Sequence, residues 1–292
     1  YNDWEHNCVT KGGIIVKTVD FFGTSVSRLI MGDNPFNGHS YVPEIYDGEE
    51  MMDYYTAENA VKALFEAENN GITACMPLAT DYMLRVLRDY RNQGGRMDIV
   101  FQPYPAIDLK INVRMMMAMD PIAIYHQGTT TDNLNEGGDI EKLRENIKIL
   151  RDSGLPVGLG THVPETVARS EEEDWGVDFY STCFCNARRG DEGRQSGFIT
   201  GETKKLVFRI EDRHDMFDVV QSVKKPFILY KLFAGGQIFY DKDEAQVRAA
   251  IYDAFKEADE RIKDTDLLCV GVYQKYKNQM KENVDIFKST YA

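Results

Sequence analysis

The chain has 292 residues, 43% hydrophobic and 28% charged, enough apolar material for one large α/β core. Its formal charge of −13 leaves no basic stripe for nucleic acid or an anionic membrane, so a small molecule is the expected partner. No run approaches the roughly 20 apolar residues that span a bilayer. The first residues lack the basic and apolar regions of a secretory leader. The cysteines at positions 8, 75, 183, 185 and 269 are odd in number and scattered, which suits a reducing, cytoplasmic setting and buried small side chains.

Short apolar runs that close on Gly, Pro or polar residues alternate with charged stretches of helical period. The first run, Ser27 to Gly32, closes on Asp33, Asn34 and Pro35. A helix follows from Thr56, its N-cap, to Asn69, with Ala60, Val61, Leu64, Phe65 and Ala67 along one side. Gly71 ends it, and Ile72 to Met76 is the second strand. Asp98 to Phe101 leads into Gln102 and Tyr104, and Pro121 to Tyr125 leads into His126 and Gln127. Pro156 to Gly160 leads into Thr161 and His162, and Val177 to Phe184 into Cys185 and Asn186. Pro226 to Tyr230 leads into Lys231, and Asp266 to Val270 into Gly271. Helical stretches at 140–153 and 243–263 stand between strands. Eight strands joined by crossovers predict parallel βαβ units closing into a single (β/α)8 barrel domain over residues 1–292. The first strand lacks the GxGxxG turn of an open dinucleotide-binding sheet.

Two segments break the rhythm, Asn37 to Tyr55 and Ala187 to Gly201. Both follow strand ends and would border the mouth of the barrel as long lid or binding loops.

In such a barrel the C-terminal strand ends face the active-site mouth. Those positions hold Asp33, Asn34, Gln102, Tyr104, His126, Gln127, His162, Asn186, Arg188 and Lys231. So many hydrogen-bonding side chains suit a small polar substrate; the bland alternative is a solvated rim. Three of five histidines, His39, His126 and His162, fall on this side. Together they could serve acid–base work or, with Asp33, hold a divalent metal, although no HxH, HExxH or CxxC spacing is present. Singly, a histidine is more often a hydrogen-bonded structural residue than a catalyst. Lys231 ends an apolar run and is read either as an anion or Schiff-base lysine or as a snorkelling one.

The run Lys17 to Leu29, with Gly23, Val26, Ser27 and Leu29, resembles the N-terminal hairpin and first strand of the aldo-keto reductases. Ile122 to His126 resembles that family's fourth strand with its catalytic His, and Gly158 to Glu165 and Lys225 to Gly236 resemble two later strands of one branch. Val270 to Asn283 resembles the terminal strand and the Glu-Asn pair near the adenine site. The resemblance implies a barrel closed below by a β-hairpin and hydride transfer from NADPH to a carbonyl. It makes His126 and Tyr82 catalytic, and makes Lys275, Lys277, Asn278, Glu282 and Asn283 cofactor residues. Met76 and Gln102 occupy the family's Asp and Lys positions, and a tyrosine without its cation keeps a pKa near 10.

Three functions therefore stand side by side: a divergent oxidoreductase on a small carbonyl or carbohydrate-type substrate, a non-redox lyase, isomerase or hydrolase with or without a metal, and a non-catalytic ligand binder.

Overall fold

The chain enters the fold through a tight hairpin of β1 (Thr18–Phe21) and β2 (Thr24–Ser27), paired antiparallel from Thr18↔Ser27 to Phe21↔Thr24. Its two turn residues, Phe22 and Gly23, both have positive φ (53° and 85°), as the twist of a two-residue hairpin demands. The Asp20 carboxylate accepts the Gly23 N–H at 2.7 Å and pins the turn. Alternation then buries Val19, Phe21 and Val26 beneath the barrel, where the Phe21 ring meets Phe179 edge-on at 5.2 Å. This is a computed structural model, and it describes residues 16–186, 208–209 and 211–291.

Eight parallel strands close the barrel: β3 (Leu29–Gly32), β4 (Ala74–Met76), β5 (Asp98–Phe101), β6 (Ala123–His126), β7 (Val157–Thr161), β8 (Phe179–Cys183), β9 (Phe227–Tyr230) and β10 (Leu267–Gly271). They follow one another in chain order and β10 pairs with β3. All eight lie where the apolar runs predict them. Each strand is covered inside by its neighbours across the barrel and outside by helices, so its sequence is continuously apolar rather than alternating.

The described helices are α1 (Gly48–Tyr54), α2 (Ala57–Asn69), α3 (Asp81–Asn92), α4 (Leu109–Met117), α5 (Gly128–Glu136), α6 (Ile140–Arg151), α7 (Pro164–Glu172), α8 (Glu211–Ser222), α9 (Glu244–Arg261) and α10 (Gln279–Ser289). Thr56 caps α2 by accepting the Asn59 N–H, and Asp243 and Gln246 form a reciprocal capping box on α9. None of these helices is long and apolar enough to cross a membrane.

Two departures from the sequence expectation shape the mouth. The segment 37–55 is not all loop: a 3-10 turn over Asn34–Asn37 and the Asp47-capped α1 fold it across the barrel top. In β7, glycines replace side chains where neighbours come close. A Cβ on Gly160 would lie 2.6 Å from the His126 carbonyl oxygen and 2.7 Å from the Gly128 amide nitrogen. That missing carbon lets α5 begin against the strand. The predicted loop Ala187 to Gly201 lies outside the described residues.

Candidate active site

A cavity of about 230 Å³ opens at the C-terminal ends of the strands. Its walls carry Asp33, Asn34, Gln102, Gln127, His162 and Lys231 from the strand ends, and Tyr41 and Tyr46 from the segment that folds over them.

Asp33 follows β3 directly and is 5% exposed. Its Oδ2 accepts the Leu78 N–H at 2.9 Å and an Asn37 side-chain N–H at 2.8 Å. Those donors favour the carboxylate, but burial outweighs them and pushes the pKa up to about 7. Near neutrality this group both gives and takes a proton.

His162 follows β7, four strands round the barrel from β3. Its Nδ1 lies 2.8 Å from the Asp132 carboxylate on α5, which also accepts the Thr161 hydroxyl at 2.5 Å and the His162 backbone N–H at 3.2 Å. The carboxylate assigns the proton to Nδ1 and leaves the Nε2 lone pair for the cavity. There Nε2 meets Lys231 Nζ at 3.2 Å and the Tyr230 hydroxyl at 3.3 Å.

Lys231 reaches this place because its backbone is left-handed, φ 59°, just past β9. Its ammonium lies 4.7 Å from the centre of the Tyr41 ring, 5.4 Å from Tyr230 and 5.7 Å from Phe208. Burial works to depress its pKa, but the Tyr41 phenol and the Cys183 and Cys185 thiols outweigh it, and the pKa stands above the ordinary lysine value. The lysine is therefore a cation at neutral pH, not the free amine that Schiff-base chemistry requires. His39 lines the same cavity, and burial, then the charge of Lys231, holds its pKa down.

Other sequence candidates lie elsewhere. His126 is 3% exposed and faces outward, because Ala123 and Tyr125 take the inward positions of β6. Its Nδ1 meets Thr131 Oγ1 at 2.7 Å and its Nε2 meets the Asn146 amide at 3.1 Å. Burial lowers its pKa to about 4, so it stays neutral as a structural histidine. Tyr82 sits in the first turn of α3 and donates to the Tyr55 carbonyl at 2.6 Å, away from the cavity. Tyr104 and Asn186 also miss the lining: the Tyr104 N–H donates to Asn112 Oδ1, and the Asn186 N–H to Asp212 Oδ2. Arg188 lies outside the described residues.

Of the expected cofactor residues, Lys277, Glu282 and Asn283 line the far end of the cavity. There Glu282 pairs with Lys277 at 2.6 Å and with Arg248 at 2.8 Å. Lys275 turns away to Glu50, and Asn278 caps α10 by accepting the Lys281 N–H. His39, His126 and His162 do not converge, and among the described residues no three His, Cys, Asp or Glu side chains are grouped to hold a metal ion. The four described cysteines are buried and free.

Sequence reasoning missed Asp132, Tyr230, Tyr125 and Tyr41. Alternation within strands could have found Tyr125, two residues before Gln127. Asp132 leaves no such trace, because it reaches His162 from a helix turn.

No protein-family profile matches the chain, and no curated protein matches it in sequence. Among solved structures, the apo form of Gox0644 is similar with a TM-score of 0.56 at 7% identity, over 93% of this chain and 88% of that one. A truncated 3-deoxy-D-arabino-heptulosonate 7-phosphate synthase from Thermotoga maritima is similar with a TM-score of 0.52 at 11% identity, over 94% and 89%. QR15, an aldolase, gives 0.45 at 10% identity, over 80% and 88%. Identities this low establish the barrel alone. The resemblance to aldo-keto reductases is overturned: no family profile and no curated sequence carries it, and the similar barrel named by its chemistry at a TM-score above 0.5 is a synthase. His126 and Tyr82, the two residues on which it placed the reaction, stand outside the cavity.

Proposed function

We propose that the chain is a non-redox enzyme that moves protons on a small polar carbonyl or carbohydrate-type compound, as a lyase or isomerase does. One observation carries this reading: Asp33 combines a pKa of about 7 with a place on the cavity wall opposite a second polar cluster. In its ionised form Asp33 takes the proton from a carbon beside a carbonyl, and the electron pair moves onto the carbonyl oxygen. The Gln102 amide lines the same cavity and is a donor available to that oxygen, with the Tyr230 hydroxyl and the Lys231 ammonium left for a second oxygen of the compound. Burial holds the Tyr230 pKa well above that of a free phenol, so its proton stays in place as a donor. Protonated Asp33 then returns the proton to carbon or to a leaving oxygen. The same barrel serving as a synthase in Thermotoga maritima supports a non-redox use of the scaffold, at the level of fold.

The test needs no prior substrate. A panel of aldoses, ketoses and 2-oxo acids is incubated with enzyme in D2O and followed by proton NMR. Deuterium should enter beside the carbonyl of at least one compound, and Asp33→Asn should slow that exchange by about a hundredfold or more. Equal exchange by both proteins, or none with either, would remove Asp33 from the chemistry.

A further inference from the structure

Lys231 sets an ammonium in the cavity wall. Among the described residues no carboxylate lies within 4 Å of its Nζ; its close partners are the His162 ring, the Tyr41 hydroxyl and three aromatic faces. Asp132 stands one residue behind, with Thr161 and both N–H groups of His162 already upon it. Burial raises the Cys183 thiol pKa, but the Cys185 hydrogen bond and the charge of Lys231 outweigh it and bring it to about 6; its sulfur accepts the Cys185 backbone N–H at 3.2 Å. An enclosed ammonium with no carboxylate at hydrogen-bond distance keeps room for a counter-charge brought by a ligand.

The surroundings suit such a ligand. The Tyr230 hydroxyl lies at the same His162 nitrogen as Lys231 and can turn its proton toward the cavity. Gly128 opens α5 beside them, and a Cβ there would come within 3.2 Å of the Tyr230 oxygen and 3.3 Å of His162 Cε1. Glycine keeps that corner open, and the first turn of α5 turns its N-terminal end toward it.

We propose that Lys231, with the Tyr230 hydroxyl, anchors an oxyanion of the substrate, a carboxylate or phosphate, in the corner left open by Gly128. This rests on the proton-moving reading of the same cavity and adds the substrate class to it: the compound is a small acid or phosphate ester, held by its anion while Asp33 works from the other wall. His162 is then a positioning residue. Asp132 fixes its tautomer, and its Nε2 sets the direction of the lysine.

Calorimetric titration with inorganic phosphate and, separately, with malonate tests the anchor without any turnover. Wild type should bind one of them, and which one tells a phosphate ester from a carboxylic acid. Lys231→Met should weaken that binding at least about tenfold, and Tyr230→Phe by a smaller factor. Lys231→Arg, which keeps the charge, should retain most of it and also serves as the folded control should the methionine variant fail. Asp33→Asn should bind the anion as wild type does while losing exchange in D2O, so failure of the acid–base reading and failure of the anchor are separate results. Absence of binding by either anion at tens of millimolar, or equal affinity in Lys231→Met, would overturn the proposal.

Discussion

Asp33 and His126 are both buried at strand ends, and burial moves them in opposite directions because it disfavours whichever form is charged. Asp33 is held as a neutral acid up to about pH 7, whereas His126 is held as a neutral base down to about pH 4. Only Asp33 opens on the cavity, so only its shift has a catalytic use. The same shift is a statement about stability. With a folded pKa of about 7 against 3.8 unfolded, the native state binds the proton more tightly. The contribution is full below about pH 4 and is lost as pH rises through 7. Its size is at most roughly 4 kcal/mol. Asp33→Asn removes this dependence while keeping an oxygen to accept the Leu78 N–H. Urea midpoints should therefore show the variant gaining on wild type between pH 5 and pH 8, with the variant the more stable at pH 8. Parallel curves across that range would show that the carboxyl titrates normally. His126 contributes in the other sense, its stabilisation fading as pH falls from 6.5 towards 4, but it is common to both proteins and cancels in the comparison.

At the scale of elements, the site depends on how closely α5 meets β7. Asp132 and Gly128 lie on α5, His162 follows β7, and Gly160 is the point where the two backbones touch. Gly160→Ala would place a carbon against two backbone atoms that no rotamer change can move. The expected cost is about 1–3 kcal/mol, with α5 displaced from the strand. A chemical-denaturation midpoint reads the first effect, and weaker binding of phosphate or malonate reads the second. An unchanged midpoint would mean that the strand and helix are not in the contact described. These elements also show what sequence can carry. Strand positions were legible because a strand covered on both faces must be an apolar run, and a polar residue must follow where it emerges. Side-chain direction was less legible. His126 and Gln127 are neighbours at one strand end, yet the inward alternation through Ala123 and Tyr125 selects Gln127 for the cavity and turns His126 out. Lys231 sits next to the inward Tyr230 and reaches the cavity only through its left-handed backbone, a conformation its sequence does not announce. Asp132 was hidden because its contact with His162 spans 30 residues of chain.

Across the whole molecule, the two ends of the barrel carry different burdens. The C-terminal end holds the cavity, and the other is closed by the hairpin, with Phe21 against Phe179. Below the strands, Arg28 is 1% exposed and spans Asp259 and Asp264. This division is general for the fold, with chemistry at the strand C-termini and stability at the opposite face. It makes a sharp expectation for Phe21→Ala. The ring is 1% exposed, and its removal leaves a void that the barrel floor cannot collapse to fill, so the cost should be about 3–5 kcal/mol. Activity and anion affinity, measured well below the lowered melting temperature, should nevertheless match wild type, because Asp33 and Lys231 are positioned by hydrogen bonds and backbone turns at the other end. A large stability loss with unchanged affinity separates the floor from the mouth. A parallel fall in both would mean that the inward layer from Phe179 through Tyr125 to the cavity transmits the floor's packing to the site, and that the hairpin belongs to the active site as much as to the core.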